Sequence, residues 1–239
     1  MEKSINGKSQ QRIARTAGLL YTLMIPLAAF GMLYVPATLF VTGDMEKTVH
    51  NMVAHGGVFR LSILCAVIVQ ICHIFIVLLL YKLLRTVGRD MAALMVIFML
   101  VSIPVTMVNE LGNYAIVLLT TNSSMPLHDT GVLIDLLFRV HGYGILISGI
   151  FWGLWLFPMG YLVYKSTFLP KSIGVLLIIA CFGYVIDSMM KLVQPAYSST
   201  VVAQIIGVTL YGELAFPLWL LIKGIHLKKW EEHVGKHDS

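Results

Sequence analysis

Residues 58–80 read VFRLSILCAVIVQICHIFIVLLL, and this stretch decides the class of the fold. Apart from Arg60 at its beginning, it contains no Asp, Glu, Lys or Arg. A helix needs about 20 mainly apolar residues to cross the hydrocarbon core of a bilayer. The stretch therefore predicts a membrane-spanning helix.

Five further stretches of the chain meet the same requirement. Turn-forming or charged segments separate them, as expected where helices end. No stretch shows the alternating pattern of roughly ten residues that marks a strand of a membrane barrel. The sequence therefore predicts an all-α integral membrane protein, a bundle of six transmembrane helices. The predicted spans are Ala17–Val41, Val58–Leu80, Met91–Leu119, His141–Tyr164, Ile173–Val193 and Val201–Ile222.

The composition of the 239-residue chain agrees with a membrane protein. Hydrophobic residues make up 58% and charged residues 12% of the chain, whereas an ordinary soluble domain is about 25% charged. This composition excludes a water-soluble globule, and it excludes a disordered chain, which needs low hydrophobicity. With three cysteines, the chain is not a disulfide scaffold.

Lys and Arg are distributed unequally between the two sides of the predicted bundle. Most of the 17 basic residues fall on the side that holds both termini. Because cytoplasmic segments are enriched in Lys and Arg, we predict that both termini are cytoplasmic. The opposite side holds Lys47, Arg60, Arg139 and Lys191.

This topology divides the chain into three regions. It also explains the net charge of +5, because the excess Lys and Arg residues belong to cytoplasmic segments. We therefore expect no nucleic acid as a partner. The first apolar run is longer than the core of a usual signal peptide, and we interpret it as a retained span. The regions are a basic cytoplasmic N-terminus (1–16), a transmembrane domain (17–222) and a cytoplasmic C-terminal tail (223–239).

The sequence contains no motif for a metal or cofactor. Cys65, Cys72 and Cys181 lie inside predicted spans, and no Cys-x-x-Cys pair is present. Walker A, dinucleotide-binding and His-Glu-x-x-His motifs are also absent. We therefore expect no metal and no cofactor.

Several short motifs occur along nearly the whole chain and together resemble a known family. They include RIARTAGLLY (12–21), FRL (59–61), LLYKLL (79–84), NEL (109–111), YKS (164–166), FLP (168–170), GVLL (174–177), YVIDS (184–188) and GE (212–213). With these motifs the chain resembles the bacterial six-helix membrane family called domain of unknown function 4386. The resemblance implies six spans and the bacterial cytoplasmic (inner) membrane, and it implies no reaction and no binding residues.

Polar side chains inside spans are the best candidates for a functional site. An ionisable side chain at mid-membrane costs about 2.5–3.5 kcal/mol, so it usually faces the protein interior or water. Glu110, Asn109 and Asn113 lie together in the third span. Glu110 and Asn113 share a helix face. Exposing this face to lipid would carry the full free-energy cost of an ionisable side chain in the membrane, so we expect it to face the protein interior or water.

Two further acids lie in the fifth and sixth spans. Asp187 precedes Lys191 by four residues, and this spacing predicts an ion pair that serves either helix anchoring or function. Glu213 has no basic residue three or four positions away. It is therefore either neutral or paired with a residue of another span, for which His73 is a candidate. A lone His in a bundle is, however, more often a packed hydrogen-bonding residue.

The predicted outer end of the bundle contains further charged residues. Arg60 begins the second span, and Asp135 and Arg139 form an (i, i+4) pair before His141 at the head of the fourth. Together with the acids they could line a polar vestibule. The alternative is that long basic side chains reach lipid headgroups at the interface.

These observations leave three functions open. The first is binding or transport of a small molecule or lipid through a polar cavity, with membrane lipids and an unknown small molecule as partners. The second is an intramembrane enzyme that uses Glu110 and His141 in acid–base chemistry on a lipid-soluble substrate. The third is a structural or accessory membrane protein whose polar residues specify helix packing.

Overall fold

The computed structural model describes residues 7–122 and 125–235, and within these ranges the protein is helical without a strand. Six helical segments are long and apolar enough to cross a membrane, which confirms the predicted number of spans. The chain is therefore a multi-pass membrane protein. Of the predicted cytoplasmic regions, residues 1–6 and 236–239 lie outside the described residues. The six segments are Gly7–Leu39, Gly56–Leu84, Arg89–Thr121, Leu127–Lys165, Lys171–Val193 and Val201–Ile222.

Eleven α-helices form these segments and their connections in the described part of the chain. Short π and 3₁₀ turns interrupt or join them at Phe30–Tyr34, Pro195–Ser199 and Tyr211–Leu214. The helices are α1 (Gly7–Ala29), α2 (Val35–Leu39), α3 (Met45–Ala54), α4 (Gly56–Leu84), α5 (Arg89–Asn122), α6 (Leu127–Leu154), α7 (Leu156–Lys165), α8 (Lys171–Val193), α9 (Val201–Leu210), α10 (Ala215–Ile222) and α11 (Leu227–Gly235).

The fourth helical segment begins earlier than the predicted fourth span. The sequence places His141 at the head of a span, but α6 begins at Leu127, and His141 lies well inside it. The Thr130 amide donates to the Pro126 carbonyl at 3.0 Å in its first turn. Asp135 and Arg139 interrupt the apolar pattern before His141, but charged side chains do not interrupt backbone hydrogen bonding, so the helix extends through them.

Prolines account for the breaks in the fourth and sixth segments. Proline has no amide hydrogen for the carbonyl four residues earlier, and its ring crowds that carbonyl. Pro158 leaves the Leu154 carbonyl without its helical donor, and α6 gives way to α7 there. Pro217 likewise leaves the backbone carbonyl of Glu213 without its helical donor, and Glu213 lies in the 3₁₀ turn between α9 and α10.

The chain divides into two compact units, and the divisions fall inside α1, α4, α5 and α6. In the described residues, unit 1 comprises residues 7–23, 72–102 and 149–235. Unit 2 comprises residues 24–71, 103–122 and 125–148.

Unit 1 is packed through glycines that let helices approach closely. A Cβ atom on Gly153 would lie 2.8 Å from the Tyr184 Cβ, and one on Gly174 would lie 2.6 Å from the Tyr164 amide nitrogen. Such distances are too short for a real side chain, so α6 and α7 meet α8 at positions that need glycine. Gly149 and Gly153, spaced as a small-xxx-small pair, thus serve internal packing.

Unit 2 has its own apolar core around the α2–α3 connection. Asp44 is the N-cap residue before α3, and its carboxylate accepts from the Lys47 amide at 2.9 Å in the first turn. The core packs α2 and α3 against α4, α5 and α6, and so fixes the helices that carry the candidate site. Its buried residues are Val35, Leu39, Val49, Met52, Phe59, Ile116, Val117 and Ile134.

Candidate functional site

Unit 2 brings Glu110 of α5 next to His141 of α6. Glu110 is 7% exposed, and the Asn113 side-chain amide donates to its Oε2 atom at 2.9 Å. The His141 Nε2 atom lies 3.9 Å from Glu110 Oε1. With Asn109, these residues form the glutamate–histidine cluster (Asn109, Glu110, Asn113, His141).

Asn109 orients the imidazole of His141. Its Nδ2 atom donates to the His141 carbonyl at 2.9 Å and lies 3.1 Å from His141 Nδ1. Space for this amide exists because residue 144 is glycine; a Cβ atom there would overlap the Asn109 side chain. Sequence reasoning did not assign Gly144 to the site, since a glycine among many in one helix carries no signal of its neighbours.

Polar groups of the cluster face both ring nitrogens of His141. Nδ1 faces a donor, Asn109 Nδ2, and an acceptor, the Asn109 carbonyl oxygen at 3.3 Å. Nε2 faces the Asn113 amide at 3.4 Å and the Glu110 carboxylate. Nδ1 therefore has a partner for either role, whereas Nε2 has the Asn113 amide as a donor and the Glu110 carboxylate as a nearby charge beyond hydrogen-bonding distance.

One oxygen of the Glu110 carboxylate is left for a further partner. Oε2 accepts from Asn113, but the 3.9 Å separation from His141 Nε2 to Oε1 exceeds hydrogen-bonding distance. In the described part of the chain, no other donor reaches Oε1. A second donor to this oxygen can therefore come from a bound molecule.

Polar side chains continue beyond the cluster on the same two helices. The Thr106 hydroxyl, one turn before Glu110, donates to the Ser148 hydroxyl at 3.0 Å. Both residues are buried. The facing surfaces of α5 and α6 therefore carry a row of polar groups inside the predicted spans.

The arginines of the predicted vestibule have exposed partners. Arg60 donates to the Thr121 hydroxyl at 3.1 Å, and Arg139 pairs with Asp135 at 2.8 Å. The contacts of the described residues do not join either arginine to Glu110. This geometry favours the interfacial interpretation of both side chains, and the vestibule stays a prediction.

Unit 1 contains the ion pair predicted in the fifth span. Lys191 Nζ lies 2.7 Å from Asp187 Oδ2, and Asp187 is buried. Both residues belong to the last turns of α8. The Asp187 carboxylate therefore has a charged partner on its own helix, as expected if the pair serves to anchor the end of that helix.

Glu213 is paired with Tyr21, not with His73. The Tyr21 hydroxyl of α1 donates to Glu213 Oε1, which supplies the predicted partner from another span. The Tyr21 ring centroid lies 5.9 Å from that of Trp155, and His73 meets the same tryptophan edge-on at 6.4 Å. His73 Nδ1 is buried, without a hydrogen-bond partner among the described residues, so His73 packs here rather than binding Glu213.

Tyr21 was missed because a tyrosine in an apolar run has no distinctive spacing. The available signal was its place at the end of the RIARTAGLLY motif. For metals, the described ranges contain no group of three or more His, Cys, Asp or Glu side chains that could hold an ion.

Comparisons with known proteins agree with the family resemblance. The model of the family described as "Domain of unknown function (DUF4386)" matches residues 16–224. An uncharacterized protein from the archaeon Archaeoglobus fulgidus is 32% identical over 187 residues, which cover 78% of this chain and 91% of that protein. No solved structure matches. Since this relative is archaeal, the likeness is not restricted to bacteria. The matched region includes the glutamate–histidine cluster and Glu213.

Proposed function

From the premise that the chain belongs to the family named domain of unknown function 4386, we propose that it binds a small molecule or lipid at the glutamate–histidine cluster and carries it across the membrane. Family membership supplies no reaction or ligand. The proposal rests on one observation, the buried Glu110 carboxylate that faces His141 between α5 and α6.

The cost of the cluster argues for a role beyond packing. A carboxylate inside a span costs about 2.5–3.5 kcal/mol, and apolar side chains of similar volume pack helices at no such cost. Here the carboxylate is accompanied by an imidazole and two amides, while Oε1 lacks a hydrogen-bond donor in the described residues. This arrangement suits a ligand that donates a hydrogen bond, such as a hydroxyl, amine or ammonium group.

An acid–base enzyme is the second candidate, and the Glu110–His141 separation of 3.9 Å is the observation that favours it. The imidazole is oriented by Asn109 and lies beside a carboxylate, as in sites where His transfers protons. The substrate would be lipid-soluble. Turnover of added membrane lipid or isoprenoid, detected by mass spectrometry and lost in Glu110→Gln, would favour the enzyme function over the carrier function.

The proposal includes the topology and membrane predicted from the charge distribution. Both termini face the cytoplasm, and the protein resides in the bacterial cytoplasmic (inner) membrane. The concentration of Lys and Arg on the terminal side supports this orientation. A reporter active only outside the cytoplasm, fused to the C-terminus, should be inactive; activity there would overturn the topology.

The decisive experiment is native mass spectrometry of the full chain, extracted gently from its own membrane. It compares the natural protein with Glu110→Gln and with the matched control Glu213→Gln. We expect a defined bound molecule in the natural protein and in the control, and its loss in a Glu110→Gln variant that unfolds at a similar temperature.

Two outcomes would contradict this proposal. If all three samples carry the same unselected bulk lipid, the cluster serves helix packing, and the structural function is favoured. Retention of the molecule in Glu110→Gln, with loss from a folded Glu213→Gln variant, would move the ligand to the other glutamate.

A further inference from the structure

A basic groove lies in unit 1 where α10 ends and α8 begins. Its volume is about 360 Å³, within the range of small-molecule sites. Six of its lining residues define it: Phe168, Pro170 and Trp219 are apolar, while Lys223, His226 and Lys229 are basic or polar. The groove thus combines amines with an apolar wall.

The backbone that carries the basic residues is held by contacts with distant parts of the chain. The Gln11 side chain donates to the Lys223 carbonyl at 3.0 Å and accepts from the Ile225 amide at 2.8 Å. The His226 amide donates to the Phe168 carbonyl at 3.0 Å. These bonds fix the start of the C-terminal segment, so its lysines extend from a defined backbone.

Gly224 makes this connection between α10 and α11 possible. Its φ angle of +67° lies in the left-handed region, and its amide donates to the Trp219 carbonyl at 3.1 Å. The left-handed turn ends α10 and directs the chain to α11, which Trp230 anchors at 1% exposure. The groove is therefore built by the fold and is not a loose surface cleft.

The lysines of this region form no ion pair with the residues that the structure describes. Lys171 and Lys229 line an adjoining groove of about 590 Å³, whose acidic lining residue is Glu232. Among the residues that the structure describes, no carboxylate forms an ion pair with Lys171, Lys223 or Lys229. The Lys171 ammonium lies 5.5 Å from the centroid of the Tyr164 ring, so an external anion is the natural partner of Lys223 and Lys229.

We propose that the basic groove binds the phosphate group of an anionic phospholipid. Lys223 and Lys229 contact the phosphate, and an acyl chain lies along Trp219 and the exposed apolar side chains of α10. Leu218 is 45% and Ile222 64% exposed, which gives a lipid an apolar surface that free phosphate would not use. Basic pockets at helix ends recognise such headgroups, and tryptophan is typical of the interface.

This site is independent of the glutamate–histidine cluster and uses none of its residues. The family match ends at residue 224, so Lys229 and α11 lie beyond it.

The test is a native mass spectrometry titration of the full chain in neutral detergent. The probes are phosphatidylglycerol, phosphatidylcholine with the same acyl chains, and inorganic phosphate. The natural protein is compared with a Lys223→Gln/Lys229→Gln variant and with Lys228→Gln, a matched control on α11 that does not line the groove. Thermal unfolding confirms that each variant is folded.

We expect selective retention of phosphatidylglycerol by the natural protein. Each groove lysine contributes about fivefold to affinity, the equivalent of about 1 kcal/mol, so the double variant should bind about 25-fold more weakly. Lys228→Gln should change affinity less than twofold. An equal loss in the double variant and the control, or equal binding of phosphatidylcholine, would overturn the proposal. Lysine-dependent binding of inorganic phosphate without phosphatidylglycerol would also overturn it, because the ligand would then be free phosphate.

Discussion

Glu110 in unit 2 and Glu213 in unit 1 are both glutamates inside spans, but the protein accommodates them in different ways. Glu110 lies in the uninterrupted helix α5 and is surrounded by Asn113 and His141. Glu213 lies in a 3₁₀ turn that Pro217 imposes, and its hydrogen-bond donor is the Tyr21 hydroxyl.

The comparison shows two solutions to the cost of a carboxyl group in a span. A cluster of amide and imidazole side chains leaves the backbone regular and offers groups that can exchange a proton or a hydrogen bond. A backbone break with one hydroxyl donor satisfies the carboxyl without further exchangeable groups. We therefore expect changes around Glu110 to affect ligand binding and changes around Glu213 to affect stability.

The largest effect on stability should come from Gly18→Ala in unit 1. Gly18 lies against the backbone of Leu220 and Leu221, and a Cβ atom would overlap it. This contact also brings Tyr21 to Glu213. We expect a loss of about 3 kcal/mol in the free energy of unfolding, since backbone cannot yield as a side chain does.

The control for this change is Gly207→Ala, because a Cβ atom there meets nothing within 4 Å. Thermal and denaturant unfolding in detergent measure both variants. Equal stability of the two would show that α1 and α10 do not depend on this contact.

A smaller loss of stability, but a loss of ligand, should follow Gly144→Ala in unit 2. The added methyl group would displace the Asn109 amide, which orients His141. A displaced side chain costs about 1–2 kcal/mol. Native mass spectrometry should show the bound molecule missing.

Gly142→Ala is the matched control on the same helix, since its Cβ atom would have no neighbour within 4 Å. It should keep the ligand and gain slightly in helix stability. Retention of the ligand by both variants would break the proposed link between Asn109 and binding.

Tyr21→Phe should lower stability by about 1 kcal/mol and leave ligand binding unchanged. It removes the hydroxyl that donates to Glu213 and keeps the ring against Trp155. Interhelical hydrogen bonds in membranes are worth about 0.6 kcal/mol on average and reach about 1.7. A variant with full stability but no ligand would reverse the roles assigned to the two glutamates.

Asn113→Ala should have the smallest effect on unfolding, about 0.6 kcal/mol, while reducing ligand retention. It removes the donor to Glu110 Oε2 and a neighbour of His141 Nε2. The two readouts are expected to separate, with stability nearly natural and binding weakened. A parallel change in both would indicate a packing role for the cluster.

Hydropathy sufficed to predict the six spans, but the helix ends and breaks needed more than apolar content. Helix α6 begins at Leu127, ahead of the span predicted to begin at His141, and the interruption at Glu213 follows from Pro217 four residues later. The proline rule was available in the sequence for that break. Mean hydropathy averages over a whole apolar segment, so it carries no information about a proline that lacks an amide hydrogen.

The sequence by itself determined the membrane class, the number of spans and the polar pairs within one helix. Asp187–Lys191 and Glu110–Asn113 were predictable because a helix places residues three or four apart on one face. The pairs between helices, Glu110–His141 and Tyr21–Glu213, were decided by the tertiary structure; the sequence offered the first only within one of three hypotheses and did not predict the second. They depend on how far each helix is rotated and shifted along its axis, which is set by close contacts at glycines and by core packing, and a linear pattern does not record those contacts.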